Sequence, residues 1–321
     1  MWETLLHTFF KIIKEAMKKI WLVLVLVLVS LSVGAQGLFV ATYNIRNAGP
    51  NGDAERGNGW DVRKHAICSQ IAFEQPAVFG AQEVLVGQLH DMLGLLPEYA
   101  SIGVGRDDGK EAGEYAAIFY KKDQLELLDE GHFWLSETPE RPSLGWDAAC
   151  IRICTWGKFR DKATGLQFCF FTLHTDHVGV VARREAAKLI VARVGEIAKG
   201  LPAIVTGDFN VDQTDDTYGI FVRSGLLVDS YDAARQRFCT NGTFNDFKPE
   251  MHTDSRIDHV FVSPGFRVDH YAVLTNMYWR PSADTETLRS ANAPQQIGLN
   301  RYTLRTPSDH YPVFVKLFYQ K

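Results

Sequence analysis

Apolar runs of about six to eight residues, bounded by turn formers, recur along this chain at 38–45, 77–83, 115–120, 149–156, 167–174, 203–208, 257–262 and 312–318. Runs of that length between Gly, Pro, Asn and Asp residues predict β-strands. Between 180 and 199 the period changes. Ala187, Ile190, Val194 and Ile197 recur at helical spacing, and Arg183, Arg184, Glu185 and Lys188 fill the opposite face, which predicts a helix. Further helices are predicted over 61–74 and near 86–96. Strands that alternate with helices in some places and follow one another directly in others predict a mixed-sheet α/β protein. No linker composition interrupts the chain after Gly37, so residues 36–321 are expected to form a single domain.

The first 35 residues have a different pattern. Lys18 and Lys19 precede the apolar run 20–33, and Gly34-Ala35-Gln36 follows it. A basic start, a short apolar run and small residues at its exit describe a secretory signal peptide. Cleavage is expected after Ala35, with Met17 as the initiator and 1–16 as an upstream extension. The run is short for a bilayer span, which needs about 20 apolar residues. The expected location is the periplasm or the exterior.

The chain has 321 residues, 46% hydrophobic and 22% charged, with a net charge of −4. Residues 1–35 hold four basic and two acidic side chains, so the segment beyond them carries −6. An acidic surface argues against a protein that grips nucleic acid by its own charge. It leaves open an enzyme that meets phosphate through a bound cation. The five cysteines contain no C-x-x-C pair, which excludes a zinc ribbon or thioredoxin-type site. Cys169, in an apolar run, reads as a small buried hydrophobe, and no bridge is expected between Cys150 and Cys154.

The chemistry is concentrated at strand ends. The predicted strands terminate in Tyr43-Asn44-Ile45-Arg46, Gln82-Glu83, His174-Thr175-Asp176-His177 and Gly207-Asp208-Phe209-Asn210. Asp258-His259 opens another strand, and Ser308-Asp309-His310 precedes the last. Any one such residue is an ordinary cap or turn former. If the ends share one sheet edge, their carboxylates repel, and a cation resolves the conflict. The donors Asn44, Glu83, Asp208, Asn210 and Asp309 are oxygen-bearing side chains, which favour Mg2+ or Mn2+ over zinc. Two histidines beside such a cation supply hydrogen bonds to a phosphoryl oxygen and a proton for a leaving group.

In this order, Tyr-Asn-Ile-Arg at 43–46, Gln-Glu-Val at 82–84, Leu-His-Thr-Asp-His at 173–177, Gly-Asp-Phe-Asn at 207–210, Arg-Ile-Asp-His-Val-Phe at 256–261 and Ser-Asp-His-Tyr-Pro-Val at 308–313 resemble the endonuclease/exonuclease/phosphatase superfamily. That is the fold of deoxyribonuclease I, sphingomyelinases, inositol polyphosphate phosphatases and deadenylases. Ser136-Glu137-Thr138-Pro139, Gly145-Trp146-Asp147 and Arg152–Trp156 are similar to an exported bacterial branch of it. The resemblance implies a four-layer αββα sandwich, two packed mixed sheets flanked by helices. It implies an Mg2+- or Mn2+-dependent phosphoesterase that cleaves a phosphodiester or phosphomonoester by in-line attack of water. Asn44, Glu83 and Asp309 would hold the metal. Asp208 would orient or deprotonate the water, with Asn210 beside it. His174 and His310 would bind the phosphoryl group, Asp258 would fix the His310 tautomer, and Glu114 would do the same for His174. Arg46, Arg152, Asp176 and His177 would serve substrate binding.

Thr172-Leu173 stands before His174 where the superfamily more often has Asn-Thr. Segment 276–307 is long for its place, and its Tyr278, Trp279, Arg280 and Arg301 are candidates for substrate contact. Trp134, Trp146 and Trp156 read equally as an aromatic wall or as core. The candidate substrates are nucleic acid, a phospholipid head group or a small phosphorylated metabolite, with a phosphatase of sugar or inositol phosphates as the alternative. No stable protein partner is implied, and a monomer is expected. A zinc hydrolase of metallo-β-lactamase type is a further alternative, because Thr172 to His177 resembles its His-x-His-x-Asp-His fingerprint. Thr172 occupies the first histidine position, and losing that ligand would cripple a dinuclear zinc site.

Overall fold

The computed structural model describes residues 2, 7, 8, 11, 13–21, 37–282 and 286–320. The chain divides into two compact units, Met1–Gly37 and Leu38–Lys321. In the first, residues 13–21 are helical and exposed. The core of the apolar run, 22–33, and the expected cleavage site at Ala35 lie outside the described residues. Among the described residues no helix is long and apolar enough to cross a membrane.

The second unit contains strands β1 (Gly37–Asn44), β2 (Val78–Val84), β3 (Tyr99–Ile102), β4 (Tyr115–Lys121), β5 (Leu125–Trp134), β6 (Ile153–Asp161), β7 (Gln167–His174), β8 (Ala203–Asp208), β9 (Val228–Asp229), β10 (Gln236–Phe238), β11 (Asp258–Val262), β12 (Phe266–Val273), β13 (Tyr278–Pro281), β14 (Thr287–Leu288), β15 (Leu299–Asn300), β16 (Tyr302–Arg305) and β17 (Val313–Tyr319). Helices α1 (Trp60–Glu74), α2 (Val86–Leu95), α3 (Val180–Ala198), α4 (Asp216–Val222) and α5 (Ser230–Ala233) lie between them. One sheet has the order β10-β12-β17-β1-β2-β4-β3 and the other β5-β6-β7-β8-β11-β9. At the centre of each lies a parallel pair, β1 with β2 and β7 with β8.

The layering follows from strand alternation. Along β7, Phe168 and Phe170 enter the cluster that also holds Val40, Val78 and Val315, between the sheets. Cys169, Phe171 and Leu173 point the other way, onto Ala187, Ile190 and Val194 of α3. On the first sheet, Ala41, Tyr43 and Phe79 face Ile67 and Ile71 of α1 and Met92 of α2. Both central strands are therefore buried on two faces, which is why they read as continuous apolar runs. The result is two mixed sheets packed face to face with helices on their outer faces. All five cysteines are free.

Two differences from the sequence reading matter for function. Residues 149–152 are coil rather than strand, and β6 starts at Ile153. The Cys150 N–H leaves any ladder to donate to Asp176. Segment 276–307 is not only loop: β13 and β16 pair antiparallel as a ribbon, and β14 pairs with β15. Trp134 is buried with its indole N–H on the Arg106 carbonyl, and Trp146 and Trp156 pack on the core, so all three are structural.

The sheets approach closely at Gly80. A Cβ there would sit 2.1 Å from Thr172 Oγ1 and 2.7 Å from Thr206 Oγ1, both on the opposite sheet. Overpacking of this kind costs about 1–3 kcal/mol. Gly80→Ala is expected to lower the urea unfolding midpoint by a matching amount with an unchanged slope. A midpoint at or above wild type would show that the sheets part freely here.

Candidate active site

The strand ends converge on one edge of the sandwich. β1 delivers Asn44, β2 Glu83, β7 His174 and β8 Asp208, while β11 begins with Asp258 and the turn before β17 carries Asp309 and His310. Register enforces part of this: His174 pairs with Asp208, and Asp208 with Asp258. Local backbone does the rest. The β2–β4 register shifts between Ala81 and Val84, and Glu83 has φ +61°. The resulting irregularity leaves Gln82 pointing between the sheets, where its Nε2 donates to Thr172 Oγ1 at 2.9 Å, and turns Glu83 toward the edge. Arg46 (φ +58°) and Asn210 (φ +47°) are also left-handed. Such conformations cost about 1 kcal/mol or more and collect at working sites.

The carboxylates are buried and close. Asn44 Nδ2 donates to Glu83 Oε1 and to Asp208 Oδ2, both at 3.0 Å. Glu83 Oε2 accepts from the Asn47 amide N–H at 3.0 Å and from its side chain at 2.9 Å. Burial opposes ionisation of Glu83, but these donors hold its pKa below the usual range. Asp208 Oδ2 lies 3.4 Å from His174 Nε2 and 3.7 Å from His310 Nε2. Burial pushes Asp208 up to about 7 against the pull of His310, and Asp258 adds to the rise. Asp309 is raised by burial, with Glu83 nearby opposing its ionisation and His310 favouring it. His310 Nδ1 is 2.9 Å from Asp258 Oδ2. Burial disfavours its charge, yet Asp258 and Asp208 outweigh that and raise its pKa. His174 moves the other way: burial, then Arg152 and Arg106, hold it well below its ordinary value. The two imidazoles are thus shifted in opposite directions, His310 toward its cationic form and His174 toward its neutral one.

A cavity of about 360 Å³ opens over these groups. Its lining includes Arg46, Glu83, Glu114, Arg152, His174, His177, Asp208, Asn210, Asp309 and His310, all named from the sequence. It also includes Asn47, Arg106, Cys150, Phe244 and Asp246, which the sequence reading missed. Arg106 and Asn47 carried no strand-end signal. Asn44 and Asp258 lie beneath the lining, touching it through hydrogen bonds.

Two expected roles are corrected. Asp176 does not face the cavity. Its Oδ1 accepts the Val178 and Gly179 N–H groups and its Oδ2 the Cys150 N–H, so it shapes the loop under Arg152, whose Nε is 3.5 Å away. Glu114 is 4.0 Å from His174 Nδ1, beyond hydrogen-bond reach. It is held instead by Arg106 Nη1 and Asn47 Nδ2, and His174 Nδ1 is buried without a partner. Thr172, the would-be first zinc ligand, is buried between the sheets on Gln82.

The donor set suits a hard divalent cation. Glu83, Asp208, Asp258 and Asp309 are all less than a tenth exposed, and burial with a neighbouring carboxylate raises the pKa of both Asp208 and Asp309. Bound positive charge relieves that repulsion, and oxygen donors match it. Asp208, Asp258 and His310 present ligand atoms within 4.8 Å of one another. On the opposite wall, Arg152 is 5% exposed, and its Nε and Nη1, with Arg106 Nε, have no hydrogen-bond partner. Buried guanidinium N–H groups without acceptors are costly, and an anion in the cavity satisfies them.

A sequence profile of the endonuclease/exonuclease/phosphatase family matches residues 41–310. The chain belongs to the endonuclease/exonuclease/phosphatase family. Endonucleases, exonucleases and phosphatases, the activities from which the family takes its description, all break phosphoester bonds. A family protein from Bacteroides thetaiotaomicron is 48% identical, with TM-score 0.82 over 89% of this chain and 98% of that one. A mannosyl-6-phosphatase of Bacteroides thetaiotaomicron VPI-5482 is 49% identical, with TM-score 0.80 over 88% of this chain and all of that one. Drosophila melanogaster Nocturnin is 27% identical over 180 residues, 52% of this chain. The chain spans 27% of that protein's length and 45% of its Xenopus laevis counterpart's.

The Asp176 loop gives a pH-dependent prediction. Burial raises its carboxyl, but backbone N–H groups of Gly179, Ala149, Val178 and Cys150 pull it down to about 2. A depressed folded pKa contributes stability above the unfolded value of 3.8, and that contribution fades as pH falls toward 2. The gap in urea midpoint between wild type and Asp176→Asn is expected to be widest above about pH 5 and to narrow toward about pH 3. A constant gap would mean that the loop's donors do not depend on the charge.

Proposed function

We propose that this protein is an exported, Mg2+- or Mn2+-dependent phosphomonoesterase that removes phosphate from a phosphorylated sugar. The observation that carries this reading is the buried, partly unpaired Arg152 facing the His174–Asp208–His310 cluster across one small cavity. A monoester phosphate carries more charge than a diester and offers three terminal oxygens, which suits Arg152, Arg106 and His177. The 49% identity to a mannosyl-6-phosphatase along that protein's whole length supports the sugar. The acidic composition and the pattern at 18–36 support export and disfavour a nucleic-acid polymer as substrate.

Glu83, Asp309 and Asn44 would hold the cation, with the Asn44 amide rotated to present its oxygen. When bound, the cation stabilises negative charge on the phosphoryl oxygens and lowers the pKa of nearby water. Asp208, whose proton affinity is raised into the neutral range, takes the proton from the attacking water. The water oxygen forms the new bond to phosphorus, the ester P–O bond opposite it breaks, and the departing sugar oxygen takes a proton from solvent and leaves as an alcohol. His310, kept protonated by Asp258, donates to a phosphoryl oxygen, as does Arg152. Asn210, its N–H on Asp208 Oδ1 at 3.0 Å and its side chain on the Thr175 carbonyl at 3.1 Å, fixes the carboxylate's direction.

The test is hydrolysis of mannose 6-phosphate, p-nitrophenyl phosphate and bis(p-nitrophenyl) phosphate by residues 36–321. Expected are monoester cleavage with Mg2+ or Mn2+, loss of activity with chelator, and a diester rate far lower. Preferential diester cleavage would overturn the monoester reading. Asp208→Asn is expected to lower kcat about a thousandfold while melting no lower than wild type, because it removes a repelled carboxylate. Near-normal turnover would remove Asp208 from the mechanism. Arg152→Met is expected to raise KM for the monoester and to abolish protection of the protein by inorganic phosphate in a melting assay. Undiminished protection would place the phosphate elsewhere.

A further inference from the structure

A second cavity, of about 410 Å³, adjoins the first and shares Arg46, Asp246 and Asp309 with it. Its other lining residues are Asp53, Arg56, Asn58, Phe247, Lys248 and Arg305. The geometry points to this cavity as a subsite for a second sugar unit, so that the preferred substrate is a phosphorylated glycan end rather than a free sugar phosphate. The inference rests on the phosphomonoesterase reading and extends it to the part of the substrate that does not react.

The chemistry of the lining separates it from the phosphate cavity. There, Arg152 Nε and Nη1 and Arg106 Nε lack hydrogen-bond acceptors, although Asp176 and Glu114 lie beside these guanidinium groups. Here each lining cation except Arg305 meets a carboxylate among the described residues. Arg46 Nε and Arg56 Nη2 both donate to Asp53, at 2.9 and 2.6 Å, and Lys248 pairs with Asp246. Arg305 Nη1 donates to the Arg56 carbonyl and to Asn58 Oδ1, while its Nε has no partner. A second phosphate would find little uncompensated charge. A neutral polyol would find carboxylates, an amide and guanidinium edges as closely spaced acceptors and donors, with one aromatic face. That face is Phe247. The Arg63 guanidinium lies 5.5 Å from the ring centroid, and the ring also lines the cavity.

The placement of Phe247 is built, not incidental. Asp246 and Phe247 both have left-handed backbones, φ +51° and +56°, an uncommon pair for large side chains. The strand-end segment holds them there. The Asn245 and Asp246 N–H groups donate to the Asp309 carbonyl, Asn245 Nδ2 donates to the Ser308 carbonyl, and the Phe247 N–H donates to Asn245 Oδ1. Asp309, next to the reacting centre, therefore also anchors the wall of the second cavity.

The opposite wall depends on the β13–β16 ribbon. Its register pairs Tyr278 with Arg305 and Arg280 with Thr303, so Arg280 and Arg305 share one face. Arg280 Nη1 donates to the Gly57 carbonyl at 2.8 Å. Gly57 has φ +81°, and a Cβ on it would meet Arg280 at 3.2 Å and Arg305 at 3.5 Å, so glycine admits the two guanidinium groups. The ribbon locks the 52–58 loop in place and supplies Arg305 to the cavity. This accounts for the long segment before the last strand.

The experiment compares kcat/KM of the Mn2+-loaded enzyme for mannose 6-phosphate and for 6-phosphomannosyl-mannose, with p-nitrophenyl phosphate as the monoester control. About a tenfold preference for the disaccharide, expressed in KM, is expected. Arg305→Ala and Phe247→Ala, each checked for wild-type melting and circular dichroism, are expected to shrink that ratio to about twofold or less. Equal efficiency on both sugars would overturn the subsite and leave the phosphomonoesterase standing. Cleavage of p-nitrophenyl phosphate with neither sugar phosphate accepted would overturn the sugar as substrate and the subsite with it, and leave a phosphomonoesterase of another substrate class. The wild-type ratio alone decides the matter if a variant fails to fold.

Discussion

The Asn44 side chain sits where four buried carboxylates would otherwise drive two sheets apart. Its amide nitrogen bridges Glu83 on its own sheet and Asp208 on the facing one, each at 3.0 Å. Like charges in a low-dielectric gap repel strongly, and the fold answers with neutral donors from Asn44 and Asn47 and with His310 set 2.9 Å from Asp258 and 3.7 Å from Asp208. Everything else at this edge follows from that arrangement. Asp258 and Asp208 favour the charged form of His310, while burial and two arginines favour the neutral form of His174.

The same constraint explains the polar character of the sheet interface near the site. Deeper in, β7 and β1 meet through Phe and Val. Toward the edge, Gln82, Thr42, Thr172 and Thr206 replace them, and Gly80 lets the sheets close. The Thr42–Gln82–Thr172 hydrogen bonds tie one sheet to the other at this end. Register sets His174 opposite Asp208 and Asp208 opposite Asp258. Catalytic geometry and core packing are two ends of the same strands.

Much of this was legible in the sequence, and the limits have physical reasons. The central strands are buried on both faces and announce themselves as apolar runs. β5, with Glu126, Asp129 and Glu130 along an exposed edge, does not. Polar residues at the ends of buried strands pointed to the site because such residues need a purpose. Arg106 and Asn47 sit in loops, where polar side chains are ordinary, and only folding brings them to the cavity. Asp176 misled because its motif neighbours are functional, whereas its own oxygens are consumed by the loop. The left-handed turns at Glu83, Asp246 and Phe247 left no trace, since nothing in those residue types asks for positive φ.

The β13–β16 ribbon is fastened to the sandwich differently from the strands that carry the carboxylates. Its side chains join none of the hydrophobic clusters, and its inner face holds the 52–58 loop through Arg280 and Arg305. Drift in such an appendage leaves the folding core unchanged. Substitutions along β13 and β16 can therefore reshape the mouth of the second cavity, through Arg280 and Arg305, while the carboxylate cluster at the sheet edge keeps its geometry.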